Sequence, residues 1–366
     1  LMETGVHAQA SKLWDKLTEA VWSSGAAAVS FRSSIEAANP TEGEARILAT
    51  DASGGFVFLP DTSAPAATIN LLLFAQGEGI LNIPALRHVT RVMTVALDIL
   101  ATGEYRPLLL GMTNVAALIM GRGLAYDSDA ARATAALAAA LVSASAYQTS
   151  AELAQVLGCF PAYSKVEKPY LQHIKDKMAA LAGTAFLQKG MTRRPVQIRA
   201  ALCPDAALPE AVRQTWEQAY LTGKETGFRH AHLTGIATAP AVQVLLGAQT
   251  PDIMPEQSLV RFEGYFSDKL EGTSLYGKKL NPMVPRALKR LGYSATEIDD
   301  IHFYAVGHGA LLDAPNINHQ TLRVKGFYQG TLDALESALA TALHNRYAFN
   351  KRTLGADFCR HVLGFT

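Results

Sequence analysis

One loop-like stretch, "TDASGGFVFLPDTSAPAATINLL" (Thr50–Leu72), contains residue types that could do chemistry. Asp51, Ser53 and Asp61 offer two carboxylates and a hydroxyl, and glycine, alanine, serine and proline surround the short apolar run Phe56–Leu59. Small and turn-forming residues on both sides of an apolar run are typical of a loop that enters a protein interior. The stretch is therefore predicted to be an active-site loop or the remnant of one.

Compact catalytic motifs are absent from the sequence. It contains no GxxxxGK[ST], GxGxxG, HExxH or GxSxG pattern. Ser53 could in principle act as a nucleophile with a distant histidine, but without an elbow motif this reading is disfavoured.

Two histidine-containing segments are candidate metal sites. His308, Asp313 and His319 lie near each other in the chain, but their spacing fits no regular metal-ligand pattern. In "FRHAH", His230 and His232 fall on one face of a predicted strand, where a satisfied structural role is favoured over metal binding. No metal is expected.

Composition places the chain among globular proteins. Of its 366 residues 49% are hydrophobic and 18% are charged, and the net charge is +1. This balance gives no electrostatic reason to expect nucleic acid as a partner.

The cysteines and the apolar runs indicate a compartment. Cys159, Cys203 and Cys359 are far apart, which argues against disulfides and favours a reducing cytoplasm. The N-terminal segment is charged and amphipathic, unlike a signal peptide, and Pro107–Met120 is too short to span a bilayer. We expect a soluble, cytoplasmic protein without a membrane partner.

Periodicity predicts several elements around the loop. Helical spacing is clear over 8–23 and over "PALRHVTRVMTVALDIL". A long alanine-rich helix is predicted to begin at an N-cap, Asp127 or Ser128, and to end at Gly158. The lysines, arginines and prolines of 161–206 indicate irregular surface structure.

Four segments resemble, in order, the second half of the catalytic domain of adenosylcobalamin-dependent (class II) ribonucleotide reductases. They cover nearly the whole chain: "ARILATDASGGFVFLPDTSAPAATINLL", "YRPLLLGMTNVAALIMGRGLAYDSDAARA", "GFRHAHLTGIATAPAVQVLLGAQTPDIMPEQSLVRF", and "VPRALKRLGYSATEIDDIHFYAVGHGALLDAPNINHQTLRVKGF" with the later "AFNKRTLGADFCRHVLGF". The likeness does not include the family's N-terminal region or its C-terminal cysteine pair.

The resemblance implies an α/β fold: a partial ribonucleotide-reductase-type barrel with a central finger loop and many surrounding helices. It implies one barrel half over 1–366, with the finger loop at about 50–68, a helical segment at 69–160, the irregular segment 161–206 and a second barrel segment at 207–366. In the family, the finger carries a cysteine whose thiyl radical abstracts the ribose 3′ hydrogen. A glutamate acts there as general base, an asparagine orients the sugar, and a second cysteine supplies electrons.

This chain departs from the family at all four positions. Asp51 stands for the asparagine, Ser53 for the thiyl cysteine, Gly55 for the glutamate and Ala64 for the second cysteine. A serine alkoxyl radical is far harder to generate than a thiyl radical, and glycine cannot accept a proton. We therefore expect no catalytic residues here.

The family's phosphate-holding "APTGT" loop is "ATAPA" here, so the loop has lost its glycine and the proline removes an amide donor. The positions expected to contact a substrate-like ligand are Ser53, Thr238, Ala239, Pro240 and Ala241.

The first functional reading is a catalytically inactive relative of the reductases that binds a nucleotide, a cobalamin or a true reductase subunit. The family would supply adenosylcobalamin as the cofactor, and a homo-oligomer is also within expectation. The alternative is a subunit of a split adenosylcobalamin-dependent ribonucleoside-diphosphate reductase whose catalytic cysteines come from another chain. A third reading is new chemistry in the old cavity, using Asp51, Asp61 or His230.

Overall fold

A computed structural model describes residues 8–25, 29–51, 54–77, 79–184, 197–236, 240–266, 274–312, 314–340 and 342–364. The chain divides into two compact units, one formed by 1–119 with 124–255 and the other by 120–123 with 256–366. The single barrel half over 1–366 stays a prediction.

The first unit contains six short strands: β1 (Ala49–Thr50), β2 (Val57–Phe58), β3 (Ala66–Asn70), β4 (Ala75–Gln76), β5 (Ile80–Leu81) and β6 (Leu109–Thr113). β1 pairs antiparallel with β2, and β4 with β5. β3 and β6 are parallel, in register from Ala66 opposite Leu109 to Asn70 opposite Thr113. On the other side of β6, the segment 232–236 is hydrogen-bonded to Leu108 and Leu110, and its Thr234 forms a parallel bridge with Leu110.

Eight helices accompany these strands among the described residues: α1 (Ala8–Ser24), α2 (Arg32–Ala37), α3 (Ile83–Leu100), α4 (Val115–Gly121), α5 (Asp129–Leu157), α6 (Tyr163–Leu181), α7 (Ala207–Thr226) and α8 (Pro240–Leu245). α1, α3 and α5 confirm the helices that periodicity predicted. The Ser128 hydroxyl caps α5 by accepting a hydrogen bond from the Ala131 amide, and Gly158 ends the helix with φ 81°.

The interpretation of 161–206 as irregular was wrong for the part that forms α6. Tyr163, Val166, Tyr170 and Ile174 are buried at helical spacing, so one apolar residue per turn packs inward. Lysines occupy other positions, and Pro169 lies inside the helix. Residues 185–196 lie outside the described part of the chain.

One large hydrophobic core holds the first unit together. α5 packs against α3 and α7, and buried aromatic rings of Tyr147, Tyr170, Trp216 and Phe228 meet at centroid distances of 5.0–6.2 Å. α5 is also long and apolar enough to cross a membrane, but 67% of its most apolar window is buried in the fold, as in the core helix of a soluble protein.

The second unit is smaller and has its own core. It comprises the antiparallel hairpin β7 (Val260–Phe266) and β8 (Ser274–Leu280), followed by α9 (Met283–Arg290), α10 (Ala295–Val306), α11 (His319–Val324), α12 (Gln329–Leu339), α13 (Lys351–Leu354) and α14 (Ala356–His361). Its main cluster of buried residues is Leu311, Leu322, Phe327, Leu332, Leu335, Ala348, Leu354, Phe358 and Cys359.

The fold class is mixed helix and strand. Within the described ranges, the sheets are two-stranded and do not close into a barrel. The partial barrel with a central finger loop stays a prediction.

Candidate functional site

Two asparagines mark the carboxyl ends of the parallel strands, the edge where α/β proteins place ligands. Asn70 ends β3, and Asn114 follows β6 with φ 67° and no exposure. The Asn114 amide donates to Asn70 Oδ1 at 2.7 Å, and its own Oδ1 accepts from the amides of Gln249 and Thr250 at 2.7 and 2.9 Å. This network fixes the ends of both strands relative to the 249–250 loop.

The predicted finger loop is a short hairpin. β1 and β2 form its stem, and Asp51 Oδ1 accepts a hydrogen bond from the Phe56 amide at 2.6 Å. The Asp51 carboxylate therefore closes the turn by bonding to the backbone, a common role for aspartate. Residues 52–53, including the predicted position Ser53, lie outside the described residues.

The turn of the hairpin rests on the segment that leads to "ATAPA". The Ile236 amide donates to the Gly55 carbonyl oxygen at 3.0 Å. A Cβ atom on the intervening Gly235 would lie 2.4 Å from Leu109 Cδ1 and 3.0 Å from Gly55 O, so only glycine permits this approach. The structure thus brings the hairpin and the segment preceding Ala237 together.

The other predicted site positions are described only in part. Thr238 and Ala239 lie outside the described residues. Pro240 and Ala241 begin the short helix α8, and Ala241 is exposed. Ala64 is half-buried just before β3.

A cluster of basic groups lies beside the hairpin. The His232 ring meets the Phe56 ring edge-to-face at a centroid distance of 6.4 Å. Burial and then the Lys177 charge lower the pKa of His232 to about 4. The pKa of His173 lies well below its usual value because of burial, Lys177 and His232. We call His173, Lys177 and His232 the basic cluster.

The side chains of the basic cluster are not all hydrogen-bonded. Within the described chain no partner reaches the buried Nε2 of His232. Lys177 Nζ lies 5.7 Å and 5.9 Å from the ring centroids of Tyr147 and Trp216, and burial lowers its pKa to about 8. Two aromatic faces partly replace water around this ammonium. The structural role favoured for His232 from sequence therefore leaves one ring nitrogen unsatisfied.

A second polar network surrounds His230, just before the segment 232–236. His230 Nε2 lies 3.0 Å from Asp98 Oδ1, and Nδ1 lies 3.0 Å from Ser150 Oγ. Asp98 Oδ1 also accepts from Arg106 at 2.8 Å and from Arg229 at 3.2 Å. Burial would raise the pKa of Asp98, but the hydrogen bonds and charges of His230 and Arg106 outweigh it and lower that pKa. We call these five residues the Asp98 network.

The Ser150–His230–Asp98 chain resembles a nucleophile triad in connectivity, but its burial indicates a structural role. Ser150 and His230 are fully buried, and Ser150 Oγ also accepts from the Arg229 amide at 3.1 Å. A neutral His230 that donates from Nε2 to Asp98 and accepts at Nδ1 from the Ser150 hydroxyl has both ring nitrogens hydrogen-bonded. Because the network precedes β6 and 232–236, it lies at the amino ends of the strands, away from the edge that holds ligands. The structural role favoured for His230 is confirmed.

The remaining sequence candidates form no site in the described residues. Asp313 lies outside them, and the His319 ring contacts Glu336 at 2.6 Å instead of a metal group. Among the residues searched, no group of three His, Cys, Asp or Glu side chains could hold a metal ion. Asp61 is exposed with φ 52°, Asp51 lies in the hairpin turn, and His230 is fully buried. The three residues considered for new chemistry therefore lie in different environments.

Sequence reasoning missed Asp98, Ser150, His173 and Lys177. Asp98 carried a signal, since it is an isolated carboxylate in the apolar run "VALDIL", where burial demands a cationic partner. Lys177 carried no comparable signal because α6 was interpreted as irregular.

Comparison with known proteins agrees with the resemblance. The family model described as ribonucleotide reductase, barrel domain, matches residues 3–334. Vitamin B12-dependent ribonucleotide reductases from Agrobacterium fabrum and Bradyrhizobium diazoefficiens are each 34% identical over 97% of this chain, but the match covers only 28% and 29% of those proteins. A third such reductase, from Rhodopirellula baltica, is 30% identical over 86% of this chain and 29% of its own length. The chain spans less than a third of these relatives and belongs to the ribonucleotide reductase barrel domain family.

Proposed function

We propose that this chain is a non-catalytic ribonucleotide reductase homologue that binds a nucleotide in a partial reductase barrel, in the cytoplasm. The supporting observation is the Ile236 N–H···O Gly55 bond, with Gly235 fitted tightly against Leu109 and Gly55. It holds the hairpin against the segment leading to the family's phosphate-holding loop. A ligand-binding framework is therefore retained while reactive groups are replaced.

The replaced groups argue against nucleotide reduction. Ser53 and Gly55 stand where the family has its thiyl cysteine and its general base. A serine alkoxyl radical is far harder to generate than a thiyl radical and would not form reversibly. Glycine accepts no proton. Asp51, at the sugar-orienting position, instead bonds to the Phe56 amide. A ribose bound there would thus not lose its 3′ hydrogen.

The thiols of the chain do not fit the cofactor's chemistry at this position. Cys159 donates to the Thr226 carbonyl at 3.1 Å, and burial raises the pKa of its thiol. Cys203 neighbours Thr134, and Cys359 lies in the second unit. In the family, adenosylcobalamin supplies the radical that a cysteine carries.

Two measurements test the proposal. Anaerobic incubation with adenosylcobalamin, a dithiol and each ribonucleotide should yield no deoxynucleotide, whereas equilibrium dialysis should detect nucleoside di- or triphosphate binding. Any authentic deoxynucleotide would overturn the loss of catalysis. Binding of cobalamin without nucleotide would instead assign the cavity to the cofactor.

A glycine variant tests whether the hairpin contact forms the binding site. Gly235→Ala should displace the hairpin, because its Cβ would meet Leu109 and Gly55, and so weaken nucleotide binding. Gly121→Ala is the matched control, since the nearest atom to its Cβ would be Met283 Sδ at an ordinary 3.8 Å. Equal nucleotide affinities of the Gly235→Ala and Gly121→Ala variants would show that the hairpin contact does not contribute to binding.

A second candidate function is a subunit of a split reductase that is completed by another chain. α1 favours it, because this amphipathic helix leaves Leu13, Trp14 and Trp22 exposed, Trp22 to 89%. Large apolar side chains exposed on one helix often mark an interaction surface. Affinity purification from the native cell should then recover a reductase chain, and Trp22→Glu should abolish that recovery.

A further inference from the structure

The basic cluster holds positive charge in the first unit without an acidic partner. Among the described residues, the side chains of His173, Lys177 and His232 make no hydrogen bond and no ion pair. The charges that shift the pKa values of the two histidines come from the cluster itself, and no carboxylate is among them. Basic groups that are enclosed without compensation cost stability, so a folded protein that keeps them together has a candidate site for an anion.

Two elements bring the three side chains together. His173 and Lys177 are four residues apart on α6, so they are neighbours on one face of that helix. His232 comes from the segment beside β6. Close to the start of that segment, the Tyr170 hydroxyl of α6 donates to the His230 carbonyl oxygen at 2.6 Å. A bound anion would therefore be contacted from a helix and from a strand-like segment that are fixed to each other.

The basic cluster is enclosed but not sealed. His173, Lys177 and His232 each keep part of their surface accessible. Protein nevertheless surrounds them closely enough that burial is the first cause of every one of their pKa shifts. Residual accessibility in dense surroundings is expected of groups that line a cleft. The rings of Tyr147 and Trp216 flank the ammonium group, and such apolar surroundings strengthen a charge-assisted hydrogen bond.

The donors of the basic cluster match a phosphate group. The Lys177 ammonium has three N–H donors and, with a pKa of about 8, is mainly charged at pH 7. Each neutral imidazole has one N–H donor, and His232 Nε2, which has no partner among the described residues, can carry it. An oxyanion with several acceptor oxygens and about two negative charges uses these donors more fully than a carboxylate with one charge.

We propose that the basic cluster binds a phosphate group, with Lys177 supplying the charge and His173 and His232 supplying N–H donors. These residues are not those of the family's phosphate-holding loop, which corresponds to 237–241 and has lost its glycine. The site accepts inorganic phosphate or the phosphate of a larger ligand. It does not depend on nucleotide binding.

Calorimetric titration of the full chain at pH 7 with inorganic phosphate, acetate and chloride tests the ligand class. Phosphate should bind, acetate at least about ten-fold more weakly, and chloride not detectably. Lys177→Met should weaken phosphate binding about ten- to hundred-fold, because it removes the charge of the cluster. Lys175→Met, which removes an exposed lysine of the same helix, is the matched control and should bind phosphate like the unaltered protein.

An NMR titration of the histidines locates the anion in the unaltered protein. Sulfate is the probe, because its charge does not change over the range in which histidines titrate. Sulfate should raise the pKa of His232 from about 4 by about one unit or more, and that of His173 should also rise. The ring signals of His361, an exposed histidine of the second unit, should give the same titration curve with and without sulfate.

Titration with adenosine and adenosine diphosphate identifies the source of the phosphate. If Lys177→Met weakens binding of the diphosphate but not of adenosine, the phosphate bound by the cluster belongs to a nucleotide. If it weakens binding of inorganic phosphate alone, the cluster is a separate phosphate site. No phosphate binding, equal phosphate affinities of Lys177→Met and Lys175→Met, equal binding of acetate, or a His232 titration unaffected by sulfate would each overturn the proposal. None of these results would contradict nucleotide binding, which equilibrium dialysis measures separately.

Discussion

His230 and His232 are two residues apart, yet their surroundings differ in kind. His230 lies between Asp98 and Ser150, and both ring nitrogens are hydrogen-bonded. His232 lies near Lys177 and His173, and the described residues offer its Nε2 no partner. The Asp98 network balances its cations with a carboxylate, whereas the basic cluster draws its pKa shifts from burial and from like charges.

The Asp98 network and the basic cluster differ in their effect on stability. The first pairs its buried charges, whereas burial of the second costs free energy of folding. A buried network in which a carboxylate is bonded to the cations around it fixes one arrangement, here at the amino ends of the strands. A cluster of buried basic groups must shed protons instead, and so it makes folding depend on pH. The basic cluster also lies beside the hairpin, where the His232 ring contacts Phe56. Three substitutions sharpen this contrast.

The largest effect is expected from removing the charge that balances the Asp98 network. Asp98→Asn leaves Arg106 and Arg229 without their buried carboxylate, which should lower the free energy of unfolding by about 3–5 kcal/mol. Urea titration followed by tryptophan fluorescence measures this, because all three tryptophans lie in the first unit.

Asp129→Asn is the matched control for that loss. Asp129 also bonds to two arginines, Arg132 and Arg199, but at the surface. Its substitution should leave the urea midpoint close to that of the unaltered protein, because solvent screens exposed ion pairs. Similar losses in the two variants would show that the burial of Asp98 contributes nothing.

The next effect concerns acid stability and the basic cluster. Because the folded-state pKa of His232 is about 4 and the reference value is 6.5, the unfolded chain binds the extra proton first as pH falls. The stability contribution is therefore full above pH 6.5 and is lost between 6.5 and 4, by on the order of 2–3 kcal/mol. His232→Gln should remove about one proton from this dependence, as measured by unfolding titrations at pH 4–7.

His88→Gln provides the comparison, since His88 is an exposed histidine of the same unit. It should leave the pH dependence as in the unaltered protein. A His232→Gln profile that coincides with the His88→Gln profile would contradict the assigned burial of His232.

Local features of the sequence predicted local structure well. Ser128 and Gly158 placed both ends of α5 because capping is decided within a few residues. The family followed from segments long enough to carry an ordered pattern, and the comparisons confirm it. α6 was missed because its lysines and Pro169 obscured a buried face with only one apolar residue per turn.

Long-range partners could not be predicted from the residues alone. Asp98 and His230 are 132 residues apart, and nothing near either residue specifies the other. The same holds for the parallel neighbours of β6, which come from chain positions before and after it. At the predicted site, Asp51 Oδ1 accepts from the Phe56 amide and the Gly55 carbonyl oxygen accepts from the Ile236 amide, so each of these contacts involves a backbone group of the partner. Contacts with backbone groups depend little on residue type, so the sequence alone does not predict them.

The smallest effect tests whether the basic cluster is coupled. At pH 7 Lys177 carries its charge at a cost, since burial has lowered its pKa to about 8 from 10.5, and stability rises as pH increases from 8 to 10.5. Lys177→Met should remove that rise. It should also stabilise the protein at pH 7 by about 1 kcal/mol after loss of the contacts with Tyr147 and Trp216. Because the Lys177 charge lowers the pKa of His232, that pKa should increase by up to about one unit in an NMR titration. Lys175→Met, which removes an exposed lysine 5.5 Å from the Tyr220 ring centroid, should do neither. If His232 titrates identically in both variants, the basic cluster is three separate buried groups, and its contrast with the Asp98 network reduces to burial alone.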